Sequence, residues 1–132
     1  MSVILALDPG ERRTGIAISD PEGSLARPLQ THDRKRDGSL FALLRALCDE
    51  HGVARILVGH PITQAAERGQ AALHAEALAD RLRSQFDIDI ELVDERYSSA
   101  EADHLLRGSR RPKGDRDAIA AAFILQGYLD AR

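Results

Sequence analysis

The stretch that most constrains the fold of this 132-residue chain is LALDPGERRTGIAISD, Leu5 to Asp20. It completes a run, Val3 to Leu7, in which every residue is apolar and none alternates with a polar one. A strand of that kind must be covered on both faces, so it belongs inside a sheet. The run stops at Asp8, turns through Pro9-Gly10, carries Glu11, Arg12 and Arg13, and after Gly15 resumes as Ile16-Ala17-Ile18. This is a hairpin whose first strand ends in a carboxylate. Gly10 and Gly15 bracket the turn, where the backbone must bend or approach something bulky. Two roles fit Asp8: accepting hydrogen bonds from turn amides, or, beside the arginines, holding a metal ion against a phosphate.

The rest of the chain supplies the cover that such a strand needs. Thr14 to Ser19 reads as its hairpin partner and Leu25 to Thr31, after the turn signal Pro21-Glu22-Gly23, as a third strand, with Pro28 favouring an edge. From Asp37 to His51 the period becomes helical, with Leu40, Leu43, Leu44 and Leu47 on one face and Gly52 as the stop. Ala54 to Gly59 is a short apolar strand closed by His60-Pro61, and Ala75, Leu78, Ala79, Leu82 and Phe86 mark the buried stripe of a helix over Glu67 to Gln85. Ile88 to Val93 follows as a strand with Asp89 and Glu91 on one face, which suits a place near a sheet edge. Ser98 with Glu101 forms a capping box that opens a helix through Leu106. Gly108 to Gly114 reads as a basic loop, and Arg116 to Leu129 as a final helix apolar nearly all round. The order, three strands and then αβαβαα, calls for one α/β domain over residues 1–132 with a mixed sheet between helices.

Composition narrows the function. With Trp absent, 2 Tyr and 3 Phe, base stacking on aromatic platforms is not the main binding device. Cys48 has no partner for an internal disulfide, which fits a reduced, cytoplasmic setting. The start MSVILALD has no basic region and too short an apolar run for a signal peptide or membrane anchor. A net charge of −3 argues against broad coating of nucleic acid, yet Arg34-Lys35-Arg36 and the segment Arg107 to Arg116 concentrate positive charge. Such patches engage phosphates or are solvated loops, and composition leaves both open.

Three groups of acids stand where this topology can bring them together: Asp8 at the end of the first strand, Asp94-Glu95 at the end of the last, and Asp117 in the first turn of the final helix. Phosphodiester hydrolysis with two metal ions needs such a cluster, because hard carboxylate oxygens hold Mg²⁺ or Mn²⁺. Each acid also has a structural role open to it: Asp117 complements the helix dipole, Asp94-Glu95-Arg96 forms a surface ion pair, and Asp8 caps a turn. The 5 histidines form no pair at zinc spacing, and His60, the one near the proposed site, fits a loop-fixing hydrogen bond. No serine or cysteine sits in a nucleophile motif.

Four segments, LALDPGERRTGIAISD, ILVGHP, VDERYSS and DAIAAAFILQGYLD, resemble in order and spacing those of the YqgF/RuvX family of Holliday-junction resolvases and pre-16S rRNA nucleases, in the RuvC-like branch of the ribonuclease H fold. The resemblance implies a five-stranded mixed sheet in the order 3-2-1-4-5, its first three strands antiparallel, flanked by helices. It implies a hydrolase, a metal-dependent endo- or exonuclease. Its Mg²⁺ or Mn²⁺ would be held by Asp8, Glu95 and Asp117, with Asp94 as the alternative to Glu95. Arg12, Arg13, Arg110, Arg111 and Lys113 would position the phosphate backbone, and Arg96 would orient the acids, touch phosphate or form a structural ion pair. The implied partner is nucleic acid, with precursor ribosomal RNA ahead of a four-way DNA junction, bound by a monomer or homodimer.

The chain departs from the pattern at Val58-Gly59-His60-Pro61, where RuvC-type resolvases carry a glutamate, and at Thr63-Gln64-Ala65-Ala66, where the family has an NMDG-like stretch. Asp115 stands near Asp117 but two residues away, a spacing that points it to a different helix face. Two other classes compete: a non-catalytic nucleic-acid-binding module of the same fold, and an actin or sugar-kinase-like nucleotide-binding domain. The second would need a second domain or a glycine-rich phosphate loop with lysine, and the sequence has neither.

Overall fold

The apolar run becomes the central strand. In the computed structural model, which describes residues 2–61, 69–94 and 113–132, with side chains from residue 116 onward in the last segment, Ile4 to Leu7 lie fully buried in β1 (Val3–Pro9). β2 (Arg13–Ser19) and β3 (Ala26–Asp33) follow antiparallel, while β4 (Val53–His60) and β5 (Asp89–Asp94) run parallel, giving the order β3-β2-β1-β4-β5. The mixed sheet, its order and the edge positions of the third and fifth strands are those expected. Pro28 sits on edge strand β3, where no ladder hydrogen bond is lost. Beside it Gln30 pairs with Ile16 and Pro28 with Ala17, so Leu29 is the extra residue of a bulge.

Helices cover both sides. α1 (Leu40–His51) and α2 (Gln70–Gln85) lie on one face, against Leu5, Leu7, Ile16, Ile18, Ile56 and Val58. Among the described residues, α3 (Lys113–Asp130) is the helix on the other face, against Ile4, Ala6, Ala17 and Leu57. The alternation along β1 that divides these two sets fixes which side each later residue of the strand faces.

Three helix starts differ from expectation. α1 begins at Leu40 rather than Asp37, because the Asp37 carboxylate accepts a hydrogen bond from the Asp33 amide at 2.9 Å and its own amide donates back to the Asp33 carbonyl at 2.7 Å. Asp37 thus closes a turn. Gly38 leaves that turn at φ 76°, and the Ser39 hydroxyl caps the helix by accepting from the Ala42 amide at 3.1 Å. α2 begins at Gln70 after Gly69, and the expected first turn from Glu67 lies outside the described residues. α3 begins at Lys113, ahead of Arg116, so Lys113 and Gly114 belong to the helix and not to a basic loop. The expected helix over Ser98 to Leu106 and the rest of that loop lie outside the described residues. Among the described residues, no helix is long and apolar enough to cross a membrane.

Candidate active site

Asp8 is half-buried near the end of β1, on the parity of Ile4 and Ala6, so its carboxylate faces the α3 side. Its cross-strand partner on β2 is Gly15. Directly paired residues point to the same face, so a side chain at Gly15 would rise beside that of Asp8. Helix α3 fills that place. A Cβ on Gly15 would stand 1.9 Å from the Asp117 carbonyl oxygen and 2.9 Å from the Ala118 amide nitrogen. Gly15 is therefore part of β2, not of the turn, and it lets the first turns of α3 rest on the strand next to Asp8. Gly10 keeps the turn itself clear, since a Cβ there would meet the Arg13 carbonyl oxygen at 2.5 Å.

The two arginines of the turn have separate duties. Arg13 opens β2 on the parity of Gly15 and Ala17, and its Nε lies 3.4 Å from a carboxylate oxygen of Asp117. Both side chains are about one-third exposed, so the pair stands at the rim of the acid group. Arg12 takes the opposite parity and turns its Nε to both oxygens of Asp33, at 3.2 and 3.1 Å. The Asp33 side chain is 4% exposed, and the Arg12 hydrogen bond holds its carboxyl below the usual carboxylate range. Asp33 escaped the sequence reading because nothing local marks a partner across the β2–β3 pair.

At the other side of β1, Leu7 pairs with Val58, which leaves Gly59-His60 beside the strand end. The His60 Nε2 donates to the Glu76 carboxylate of α2 at 2.7 Å. This hydrogen bond ties the end of β4 to the helix; the loop that His60 is expected to fix, after Pro61, lies outside the described residues. His60 pairs with Asp94 on β5. Asp94 is exposed and shares the parity of Ile90 and Leu92, which pack on the α1 and α2 side, whereas Val93 packs on the α3 side.

Of the expected site residues, the structure thus brings Asp8, Gly15, Arg13 and Asp117 together on the α3 face. Glu95, Arg96, Arg110 and Arg111 lie outside the described residues, and Lys113 is described only as backbone in α3. Among the described residues, no three His, Cys, Asp or Glu side chains are arranged to share a metal ion. The described part supplies two hard oxygen donors, Asp8 and Asp117, a donor type that suits Mg²⁺ or Mn²⁺ rather than a softer metal.

Comparison with known proteins finds matches along nearly the whole chain. A family model described as "RuvX: Holliday junction resolvase" matches residues 2–131. A relative from Chloroflexus aurantiacus named "Putative pre-16S rRNA nuclease" is 42% identical over 134 residues, covering 98% of this chain and 88% of the relative. One of the same name from Thermosynechococcus vestitus is 38% identical, covering 100% and 90%. Among solved structures, Thermus thermophilus RuvC in complex with a Holliday junction substrate aligns with TM-score 0.55 at 18% identity, over 98% of this chain and 95% of that one. The yeast mitochondrial Holliday junction resolvase Ydc2 aligns with TM-score 0.56 at 12% identity, over 96% and 77%. At such identities the structural matches speak for the fold alone.

Proposed function

The chain belongs to the RuvX family, and from that premise we propose that it is a metal-dependent nuclease that hydrolyses phosphodiester bonds, with precursor ribosomal RNA as its substrate. The observation that carries this reading is the seat of α3 on Gly15, which brings Asp117 beside the strand partner of Asp8. Carboxylates drawn together repel one another unless a cation sits among them, so such a group has a use in catalysis that it lacks in a scaffold.

In this reading Asp8 and Asp117 supply two of the metal ligands and Glu95 the third. Asp94, its alternative, is disfavoured because it has the parity of Ile90 and Leu92 on the far side of the sheet. Bound there, Mg²⁺ or Mn²⁺ would generate the water nucleophile near neutral pH and neutralise charge on the phosphoryl oxygens. Asp8 stays fixed by the central strand, and Gly15 sets how closely Asp117 comes. Arg13 holds the Asp117 carboxylate and lends positive charge to the rim where a phosphate would pass. Arg96, Arg110, Arg111 and Lys113 add contacts to the phosphate backbone, which position a strand without reading its sequence. The enzyme would work in the cytoplasm.

The test is a panel of precursor ribosomal-RNA ends, single-stranded RNA and four-way DNA junctions, each with Mg²⁺, Mn²⁺ or chelator, for the wild type and Asp8→Asn. Metal-dependent cleavage of the RNA precursor, lost in Asp8→Asn while the melting curve is kept, is expected. Cleavage of junctions alone would make branched DNA the substrate, a reading that the family's description favours. Tight binding without cleavage would leave a non-catalytic module, ATP turnover would revive the nucleotide-handling reading, and cleavage that persists in Asp8→Asn would sink the site.

A further inference from the structure

On the α1 and α2 side of the sheet, at the end where β1 delivers Asp8, a cavity of 320 Å³ opens between the β1–β2 turn, the start of α1 and one face of α2. Its wall carries Arg12, Arg34, Arg81 and His74, and among the described lining residues Glu11 is the one acid. A chain of net charge −3 gathers three guanidinium groups there. Asp33 balances Arg12 and Glu11 stands in the wall, but Arg34 and Arg81 still leave an excess of positive charge there that favours an anion.

The three arginines are held ready in different ways. Arg12 commits only its Nε to Asp33, so its terminal nitrogens make no hydrogen bond among the described residues. Arg81 lies over the ring of Phe41, in the first turn of α1, with its guanidinium carbon 4.5 Å from the ring centroid. A guanidinium held over a ring is restrained without using up its N–H donors, which remain able to grip a phosphate. Arg34 follows Asp33 at the end of β3; its amide donates to the Arg12 carbonyl at 3.0 Å, and its side chain forms no ion pair among the described residues. Each group donates several parallel N–H bonds and can accept none, which selects a multiply charged oxyanion over a neutral polar ligand.

We propose that this cavity is a phosphate subsite that takes a backbone phosphate of the substrate strand, so that the strand crosses the β1–β2 turn between the cavity and the acids around Asp8. The identity of the strand rests on the nuclease reading, whereas the preference for phosphate rests on the cavity itself. Cavity and acids lie on opposite faces of the sheet and share the turn Gly10 to Arg12 as their common border.

The experiment uses the full chain carrying Asp8→Asn, with inorganic phosphate, adenosine 5′-monophosphate and a short single-stranded RNA as probes. His74 ring resonances report the cavity, and RNA affinity is followed against salt. Arg34→Glu and the pair Arg34→Ala with Arg81→Ala are compared; the first disturbs no packing, should the second unfold. All three probes should shift the His74 signals saturably, RNA should displace phosphate, and Arg34→Glu should abolish both effects. The slope of log affinity against log salt should fall by about 0.7 for each phosphate that the variant no longer neutralises.

Silence of His74 toward every probe, or RNA affinity and slope unchanged in Arg34→Glu, would overturn the proposal. Phosphate binding that RNA does not displace would overturn it for the strand and leave free phosphates as the ligand. With Asp8 restored, the two readings separate. Cleavage with KM unchanged in Arg34→Glu removes the subsite and keeps the nuclease; RNA held in the cavity with no cleavage under either metal does the reverse.

Discussion

The two faces of the sheet are built from different residues for different ends. Toward α1 and α2 the central strands present Leu5, Leu7, Ile16, Ile18, Ile56 and Val58, and the helices answer with Leu44, Leu47, Leu78 and Leu82. Toward α3 they present Ile4, Ala6, Ala17 and Leu57, answered by Ala121, Leu125 and Leu129, but at the end beside Asp8 the contact narrows to Gly15 against the backbone of Asp117 and Ala118. Large side chains hold helices at ordinary distance and contribute about 1.5–3 kcal/mol each by burial. Small ones give up much of that contribution and let the backbones approach. At its Gly15 end the α3 face gives up burial for position, and that end carries Asp8, Arg13 and Asp117.

The contrast is broken most severely at Gly15. Gly15→Ala would set a Cβ 1.9 Å from a backbone oxygen, and backbone cannot swing aside as a long side chain can. The start of α3 must therefore move. A loss of about 3 kcal/mol in stability is expected, with cleavage per folded molecule down about 100-fold, read by chemical denaturation and by initial rates on one substrate. Leu44→Ala on the opposite face should cost a similar amount of stability, about 3 kcal/mol, yet leave the rate per folded molecule unchanged. Equal losses of rate in both variants would mean that the faces do not divide the work.

How much of this could be read from the sequence follows from how local each cause is. The central strand was legible because Val3 to Leu7 admits no solvent face, and Asp8 because it ends that run. The edge place of Pro28 came from the same patterns, whereas the order 3-2-1-4-5 came from the family resemblance. The function of Gly15 was not legible: it depends on Asp117, a meeting of residues roughly a hundred apart in a chain of 132. That Asp33 holds the Nε of Arg12 was not legible either, because this partner shows itself only when β2 and β3 pair. Asp37 read as a helix start because acids favour that position, whereas its carboxylate closes a turn onto Asp33.

Smaller effects sharpen the comparison. Arg13→Gln removes a partly exposed ion pair, so at most about 1 kcal/mol of stability should go, while cleavage should fall by more than that loss can explain. Gly52→Ala, at the far end of α1, should cost about 1 kcal/mol through its φ of 64°, with the rate unchanged. The smallest effect concerns pH. The Asp33 carboxyl is depressed in the folded protein, chiefly by the Arg12 hydrogen bond, so its contribution is present above the ordinary carboxylate value and disappears as pH falls through the depressed one. Melting temperatures followed downward through that window should drop less steeply in Asp33→Asn than in the wild type; parallel curves would deny Asp33 this part.

Most direct for the central claim is the position of a divalent ion. Crystals grown with Mn²⁺ and examined by anomalous scattering should show the metal on the α3 face, ligated by the carboxylates of Asp8 and Asp117, and no such peak in Asp8→Asn. Mn²⁺ bound instead beside Asp94 and Glu76 on the α2 side, or a peak that survives Asp8→Asn, would contradict the account.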